Sequence, residues 1–424
     1  MKQQIQQLFF GKLAKASSFL FAGIVVTGLL GYIFQIIMGR MLSVVEYGTF
    51  TALMAVIMLI GAPLKTLSML VSREVSAYRQ NQNISALTSI FYIVNSRIFL
   101  FSIFITIISL FFIQPLQNLL SIDKYIDFFL FISIILIAIP YAVIVAFLQG
   151  LQYFKWLSIA GVLAILLKIL VAVILIFLGF GLSGALGGAA ISSLIVLFLT
   201  YFAVRPSIGV KFNPSKIKIN FSYGFFFPVF LANIGFAVMT QIDMVMVKYY
   251  FSEQDAGIYA AASILGKAVM YLPGGIVMAL FPMVAENQSD GKSSSNYLIQ
   301  AVIVTSILCS IGAFLYYYFS DSLIILLYGK EYLPSAQLLK YFGFAMIPMA
   351  LIMVAEHFLI AKGKVLFAYL FIFIAPLQVT AIYYFHITLL NIVLIISITG
   401  ITTLVIGYSL LLNTYLNEKK ATQL

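Results

Sequence analysis

The sequence predicts an all-α polytopic membrane protein of about twelve transmembrane helices in two six-helix lobes, and three features carry that expectation. Of its 424 residues, 63% are hydrophobic and only 9% are charged, with a mean hydropathy of +1.11. A water-soluble core has no use for so much apolar surface. The apolar residues form unbroken runs near the ~20 residues that a helix needs to cross a bilayer, without the two-residue alternation of a membrane barrel. Backbone groups in lipid must be satisfied within the segment, so such runs are helices. Finally, a polar knot at residues 39–50, GRMLSVVEYGTF, separates the first two runs, and a related knot, FSEQDAGIY, returns at residues 251–259.

Hydropathy places spans near residues 17–38, 49–71, 90–113, 126–148, 157–179, 182–204, 221–247, 257–283, 297–319, 336–360, 365–386 and 388–412. The tightest connections are at residues 179–183 and 386–388. The basic residues 1–16 lead straight into a full span, so they read as an amphipathic segment on the membrane surface and not as a cleaved signal. Of 24 Lys and Arg, the loops on one side hold fifteen, and the other side holds only Arg40, Lys124, Lys248 and Lys330. The positive-inside rule therefore puts both termini in the cytoplasm. That distribution accounts for the net charge of +11 without nucleic acid. The single cysteine, Cys309, lies in an apolar run and offers neither an intramolecular disulfide nor a cysteine metal site.

The longest polar connection, residues 205–220 (RPSIGVKFNPSKIKIN), reads as a cytoplasmic linker between an N-terminal lobe at 1–204 and a C-terminal lobe at 221–424. Polar and breaker residues recur at nearly constant offsets. Glu46 matches Asp255, Gly48 matches Gly257 and Phe50 matches Tyr259 at 209, while Pro63 and Pro273 are 210 apart and Pro140 and Pro348 are 208 apart. Six spans per lobe give the two repeats the same orientation across the membrane.

An ionisable side chain deep in a membrane costs roughly 3 kcal/mol and is a functional candidate by default. Lys168 and Lys267 are deepest, with Lys65 nearer the cytoplasmic face and Asp243 nearer the outer one. Lys65 and Lys267 lie on the second span of their lobes, each close to helix breakers, which suits cavity-lining helices. Three lysines and one aspartate give a cationic interior suited to a phosphate or pyrophosphate. Asp243 and Lys267 can equally form a buried ion pair, and Lys65 can snorkel to the interface. Arg73 extends the helix of Lys65 toward the cytoplasmic mouth, with Glu74 beside it, and Arg97 suits interfacial snorkelling. Glu356 and His357, near the inner end of the tenth span, are candidates for ion coupling or for a solvated helix end. Gln35, Asn233 and Gln241 add polar atoms that can join helices or touch a ligand.

No enzymatic constellation stands out: HExxH and Walker A sequences are absent. The GFGLSG at residues 179–184 matches a dinucleotide fingerprint, but without a preceding strand it reads as a closely packed turn. With no cofactor expected, transport would draw on an ion or lipid gradient, proton and sodium both remaining open.

The string GRMLSVVEYGTF, the string DMVMVKYYFSEQDAGIYAAASILGKAV across spans seven and eight, and IPYAVIVAFLQGLQYFK at the fourth-to-fifth junction resemble polysaccharide flippases of the Wzx or O-antigen type. These belong to the multidrug/oligosaccharidyl-lipid/polysaccharide (MOP) exporter superfamily. The resemblance covers nearly the whole chain. It implies a multi-pass protein of the bacterial cytoplasmic membrane, with two lobes forming a V, that moves undecaprenyl-pyrophosphate-linked repeat units to the outer leaflet. It also implies membrane lipids, a polysaccharide polymerase and other assembly proteins as partners. Spans one, two, seven and eight would line the cavity, bringing Lys65, Arg73, Asp243 and Lys267 to it and placing Arg40, Glu46, Lys248 and Asp255 at the outer hairpins. Arg40 and Glu46 would then pair or form part of a gate. A cation-coupled multidrug antiporter is the alternative within the superfamily, though it calls for more intramembrane acids. A membrane glycan ligase or polymerase is the alternative of another class, and the short outer segment at residues 320–335 is poor in catalytic groups.

Overall fold

A computed structural model describes residues 12–81, 83–111, 113–122, 124–208, 223–276, 295–361 and 366–421. The expected linker is thus described only to residue 208. Residues 1–11, the end of the expected eighth span at 277–283, and Lys362 and Lys364 also lie outside the described residues. Twelve helices among the described residues are long and apolar enough to cross a membrane, so the chain is a multi-pass membrane protein. It divides into two compact units, Met1–Phe226 and Phe227–Leu424.

Unit 1 contains α1 (Lys12–Met41), α2 (Val44–Gln80), α3 (Ile84–Phe111), the short α4 (Ile113–Leu120), α5 (Tyr125–Gly150), α6 (Phe154–Phe177) and α7 (Gly181–Val204), closed by a 3₁₀ turn at Arg205–Ser207. In unit 2, α8 (Tyr223–Tyr250), whose first residues precede the division, is followed by α9 (Glu253–Tyr271) and α10 (Ser295–Leu327). After a 3₁₀ turn at Lys330–Tyr332 come α11 (Ser335–Ala361), α12 (Leu366–Phe385) and α13 (Leu389–Ala421).

The second helix of each unit begins with the same device. Ser43 accepts the amide of Glu46 while the Glu46 carboxylate returns to the Ser43 amide and hydroxyl, a complete capping box. In unit 2, 209 residues on, Ser252 accepts the amide of Asp255 and donates its hydroxyl to the Asp255 carboxylate at 2.6 Å. These caps satisfy amides that a helix start leaves orphaned, and so turn a polar knot into two helix ends.

Each unit also repeats one packing scheme. In unit 1, α1 packs on α6, α2 on α5, α3 on α5, α5 on α7 and α6 on α7. In unit 2, α8 meets α12 where Gly235 faces Phe371, α9 packs on α11, α10 on α11, α11 on α13 and α12 on α13. Small residues set the closest approaches, as expected where packing rather than water exclusion joins helices. A Cβ on Gly188 of α7 would sit 2.6 Å from the Ala172 backbone of α6, and one on Gly266 of α9 would sit 2.6 Å from Phe342 of α11.

The helices differ from the expected spans mainly at their ends. Although Pro63 lies within α2, that helix runs on to Gln80, whereas its counterpart α9 stops at Tyr271 just before Pro273. The ninth span, expected to end at 319, instead kinks there and continues to Leu327; Phe319 leaves helical geometry at φ −116°, ψ 15°. The turn at residues 179–183 places Gly179 at φ +89° and Gly181 at φ +50°, conformations that favour glycine.

Candidate functional site

A buried polar cluster in unit 2 joins α8 to α9. Tyr259, Ser263 and Lys267 are four residues apart on α9 and therefore share one face. All three meet Asp243 of α8. Lys267 Nζ lies 3.0 Å from both carboxylate oxygens, Tyr259 donates its hydroxyl at 2.8 Å, and Ser263 Oγ approaches at 3.5 Å. Asp243 is completely buried and Lys267 is 7% exposed. Phe342 of α11 seals the cluster, its ring 5.6 Å from that of Tyr259 in an edge-on arrangement. Gly266 leaves the room for Phe342 to approach. The ion-pair alternative for Asp243 and Lys267 is thus realised, and Lys267 adds no net charge to the interior.

Unit 1 holds the opposite arrangement. Lys168 of α6 places its ammonium 4.3 Å from the centre of the Phe34 ring on α1 and 4.0 Å from Met54 Sδ on α2. Among the described residues no carboxylate lies within ion-pair distance of it. Lys168 is half-buried. A ring face attracts the charge only partially, so this cation keeps the capacity to bind an anion.

Lys65 and Arg73 lie on one face of α2, eight residues or ~12 Å apart, and both are exposed. The other face of α2, with Ala62, Thr66 and Val75, is buried in the unit's own core. These two cations are therefore turned away from that core.

The hairpin residues do different work in the two units. Glu46 holds the α2 cap and reaches α7, where its Oε1 accepts the Leu182 amide at 3.2 Å and lies against Gly181. The GFGLSG segment is accordingly a packed turn. Arg40 is exposed beside this hairpin. Asp255 serves the cap of its own helix. Lys248, 2% exposed, lies 3.9 Å from Glu253 across the turn between α8 and α9.

Glu356 is only 8% exposed, which corrects the solvated helix end considered for it, since α11 packs against α9, α10 and α13 even near its end. Its neighbour His357 engages the Met353 carbonyl through Nδ1 at 2.9 Å. Asn233 spends its amide on the Val229 carbonyl of its own helix, whereas the Gln35 Oε1 is buried without a hydrogen-bond partner among the described residues.

Three groups are not singled out by the sequence. Tyr259 entered only as a repeat marker, although its spacing with Ser263 and Lys267 was a readable helix-face signal. Asp127, 3% exposed at the start of α5, accepts a short hydrogen bond from Ser183 of α7. Gln378 of α12 donates to the Met239 carbonyl at 3.0 Å and accepts from Thr399 of α13 at 3.1 Å, tying three helices of unit 2 together.

Comparison with known proteins places these features in a family. Residues 37–337 match the family model described as polysaccharide biosynthesis protein. A protein of the Lsg locus of Haemophilus influenzae is 24% identical over 145 residues, covering 34% of this chain and 36% of the relative, so the match spans about a third of that protein. Among solved structures, an inward-facing multidrug resistance MATE transporter of the MOP superfamily superimposes with a TM-score of 0.76 at 15% identity, covering 94% of this chain and 96% of the other. The lipid II flippase MurJ, in an inward closed conformation, gives 0.71 at 15% identity over 92% and 87%. A MOP transporter from Pyrococcus furiosus, described as having a binding pocket of reversed polarity, gives 0.66 at 16% identity over 95% and 96%. At these identities the likeness establishes the fold: the chain has the architecture of MOP-superfamily transporters.

Proposed function

We propose, from the premise that this chain belongs to the polysaccharide biosynthesis protein family, that it is an alternating-access flippase for polyprenyl-pyrophosphate-linked oligosaccharides. In this reading the chain serves cell-surface polysaccharides of the O-antigen class. The cargo is anionic at the pyrophosphate, polar at the sugars and apolar at the tail.

One observation supports this reading above the others: the cation left without a carboxylate where α1, α2 and α6 meet. Asp243 already has Lys267 as its counter-ion, while Lys168 has only a ring face and a thioether. A cation without a carboxylate beside it attracts a pyrophosphate and repels a cationic drug. Lys65 and Arg73 on the exposed face of α2 extend the same sign along the helix. Lysine acts as a mobile point charge that can follow a moving phosphate.

The remaining roles follow from this assignment. Lys168, Lys65 and Arg73 contact the headgroup, and Lys267 is available to a phosphate only if Asp243 releases it. The Glu46 and Asp255 caps, with Arg40 and Lys248 beside them, fix the hairpins at the outer ends of the helices. Glu356, buried beside His357, and Asp243 are the acids available to couple a proton or sodium gradient to the cycle. The protein acts in the bacterial cytoplasmic membrane with both termini inside, alongside a polysaccharide polymerase.

The test is complementation of a strain that lacks polysaccharide export, with variant abundance followed in parallel. Lys168→Met is expected to lower export at least tenfold at unchanged abundance, Lys168→Arg to retain most of it, and Lys65→Ala with Arg73→Ala to lower it further. Full export by both Lys168→Met and the Lys65/Arg73 double variant would refute the assignment of the headgroup site.

A further inference from the structure

We propose that unit 1 carries a binding site for an anionic phospholipid on its α3–α5–α7 face, separate from Lys168 and from the cargo. Two adjoining cavities form it. The deeper one, of about 580 Å3, lies between α3, α5 and α7 and is lined chiefly by Ile98, Phe99, Leu136, Ile137 and Leu197. The second, of about 550 Å3, shares Tyr92 with it and continues past Tyr201 and Phe202 to Arg205.

The helices explain why the groove exists. Pro140 lies within α5 and lines the deeper cavity with Leu136 and Ile137. A proline there lacks the amide that would bond the Leu136 carbonyl, and its ring pushes that carbonyl away, which spreads the helix surface. The polar side chains in the groove are already spent on their own helix. Ser102 donates to the Ile98 carbonyl at 2.8 Å, Asn95 to Phe91 at 2.9 Å and Ser96 to Ile93 at 3.0 Å. The surface left facing the cavity is mainly that of Ile98, Phe99, Leu136, Ile137 and Leu197, so the deep part suits hydrocarbon.

Dimensions and charge specify the occupant. From Tyr92 to Ser102 along α3 is ten residues, or ~15 Å, half of a hydrocarbon core about 30 Å thick. One acyl chain of a single leaflet fits that depth, whereas a long polyprenyl chain does not. At the mouth, the guanidinium of Arg205 is exposed and has no carboxylate within ion-pair distance among the described residues. The 3₁₀ turn that carries it is pinned by the 2.7 Å hydrogen bond between Tyr153 and Ser207. Tyr92, Tyr201 and Phe202 around it form the aromatic collar usual at headgroup level. Guanidinium recognises phosphate through paired hydrogen bonds, so the headgroup chemistry is a phosphodiester with net negative charge, and Arg205 anchors it.

The full-length protein, purified in detergent, would be loaded with equimolar phosphatidylglycerol and phosphatidylcholine of identical chains and read by native mass spectrometry. At least tenfold preference for phosphatidylglycerol is expected. Arg205→Gln should abolish the preference without changing the melting temperature, and Ser102→Phe should reduce retention of both lipids. Lys168→Met should leave lipid retention intact, which separates this site from the cargo site. Equal retention of the two lipids by the unaltered protein, or an unchanged preference in Arg205→Gln, would overturn the proposal. Displacement of phosphatidylglycerol by equimolar undecaprenyl pyrophosphate would overturn it too, by making the groove a cargo site.

Discussion

The first hairpin of each unit has the same frame and opposite contents. At positions 209 residues apart, unit 1 has Phe34, Phe50, Met54 and Met58 where unit 2 has Asp243, Tyr259, Ser263 and Lys267. Phe34 and Phe50 meet edge to face at 5.9 Å. Their counterparts Asp243 and Tyr259 are joined by a hydrogen bond. At the last pair, Met58 is 57% exposed and Lys267 is 7% exposed. Caps and small-residue contacts therefore fix a hairpin, and the side chains inside it are free to diverge. Unit 1 obtains its interior cation from a third helix, through Lys168, and leaves it without a carboxylate. In unit 2 the cation and its counter-ion come from the hairpin itself. The difference neutralises one lysine within its own hairpin and leaves the other against a ring and a thioether.

Removing the counter-ion should break the contrast most forcefully. Asp243→Ala strands the buried Lys267 ammonium and is expected to cost about 3–5 kcal/mol, seen as a large drop in the melting temperature of the purified protein. Asp243→Ala combined with Lys267→Met should recover most of that loss, because an apolar pair can replace a buried ion pair at little cost. Failure of the double variant to recover would mean that Lys267 does more than neutralise Asp243.

A smaller change makes unit 2 resemble unit 1 at one atom. Tyr259→Phe removes a hydroxyl bonded to a carboxylate and should cost about 1.5–3 kcal/mol, while Phe50→Tyr adds a hydroxyl with no such acceptor and should also destabilise. Stability unchanged in Tyr259→Phe would show that Lys267 alone satisfies Asp243. The smallest contrast lies in the caps. Glu46→Ala loses its own helix cap and the contact to the Leu182 amide, for about 1–2 kcal/mol, whereas Asp255→Ala loses one cap, for about 0.5–1 kcal/mol. Equal losses from the two variants would remove the α2–α7 tie from the account.

Much of this was legible in the chain. Run length placed twelve spans, because a bilayer imposes one length on every segment and leaves no alternative backbone solution. The knots at residues 39–50 and 251–259 announced two hairpins, since Ser followed three residues later by an acid is a capping signature. Legibility was poorer where an outcome depended on a neighbour. Continuation of α2 past Pro63 and termination of α9 before Pro273 look alike in one dimension. Glu356 stands near a span end, where solvation is the local expectation, yet α11 packs against α9, α10 and α13 and buries it. Asp127 and Gln378 were overlooked because their partners, Ser183 and Thr399, come from other helices.

The sequence by itself determined that this is a membrane protein of about twelve spans, that its two halves begin with matching hairpins, and that ionisable groups stand deep in its helices. Composition, periodicity and local capping are properties of neighbours along the chain, so they can be read there. Only the tertiary structure decided which lysine is neutralised. Lys267 and Lys168 are equally deep and equally costly in a list of residues. They differ because one α9 face meets Asp243 of α8, while α6 aims its ammonium at the Phe34 ring. Charge compensation falls off within a few ångströms, and only the packing of helices distant in sequence sets distances of that size.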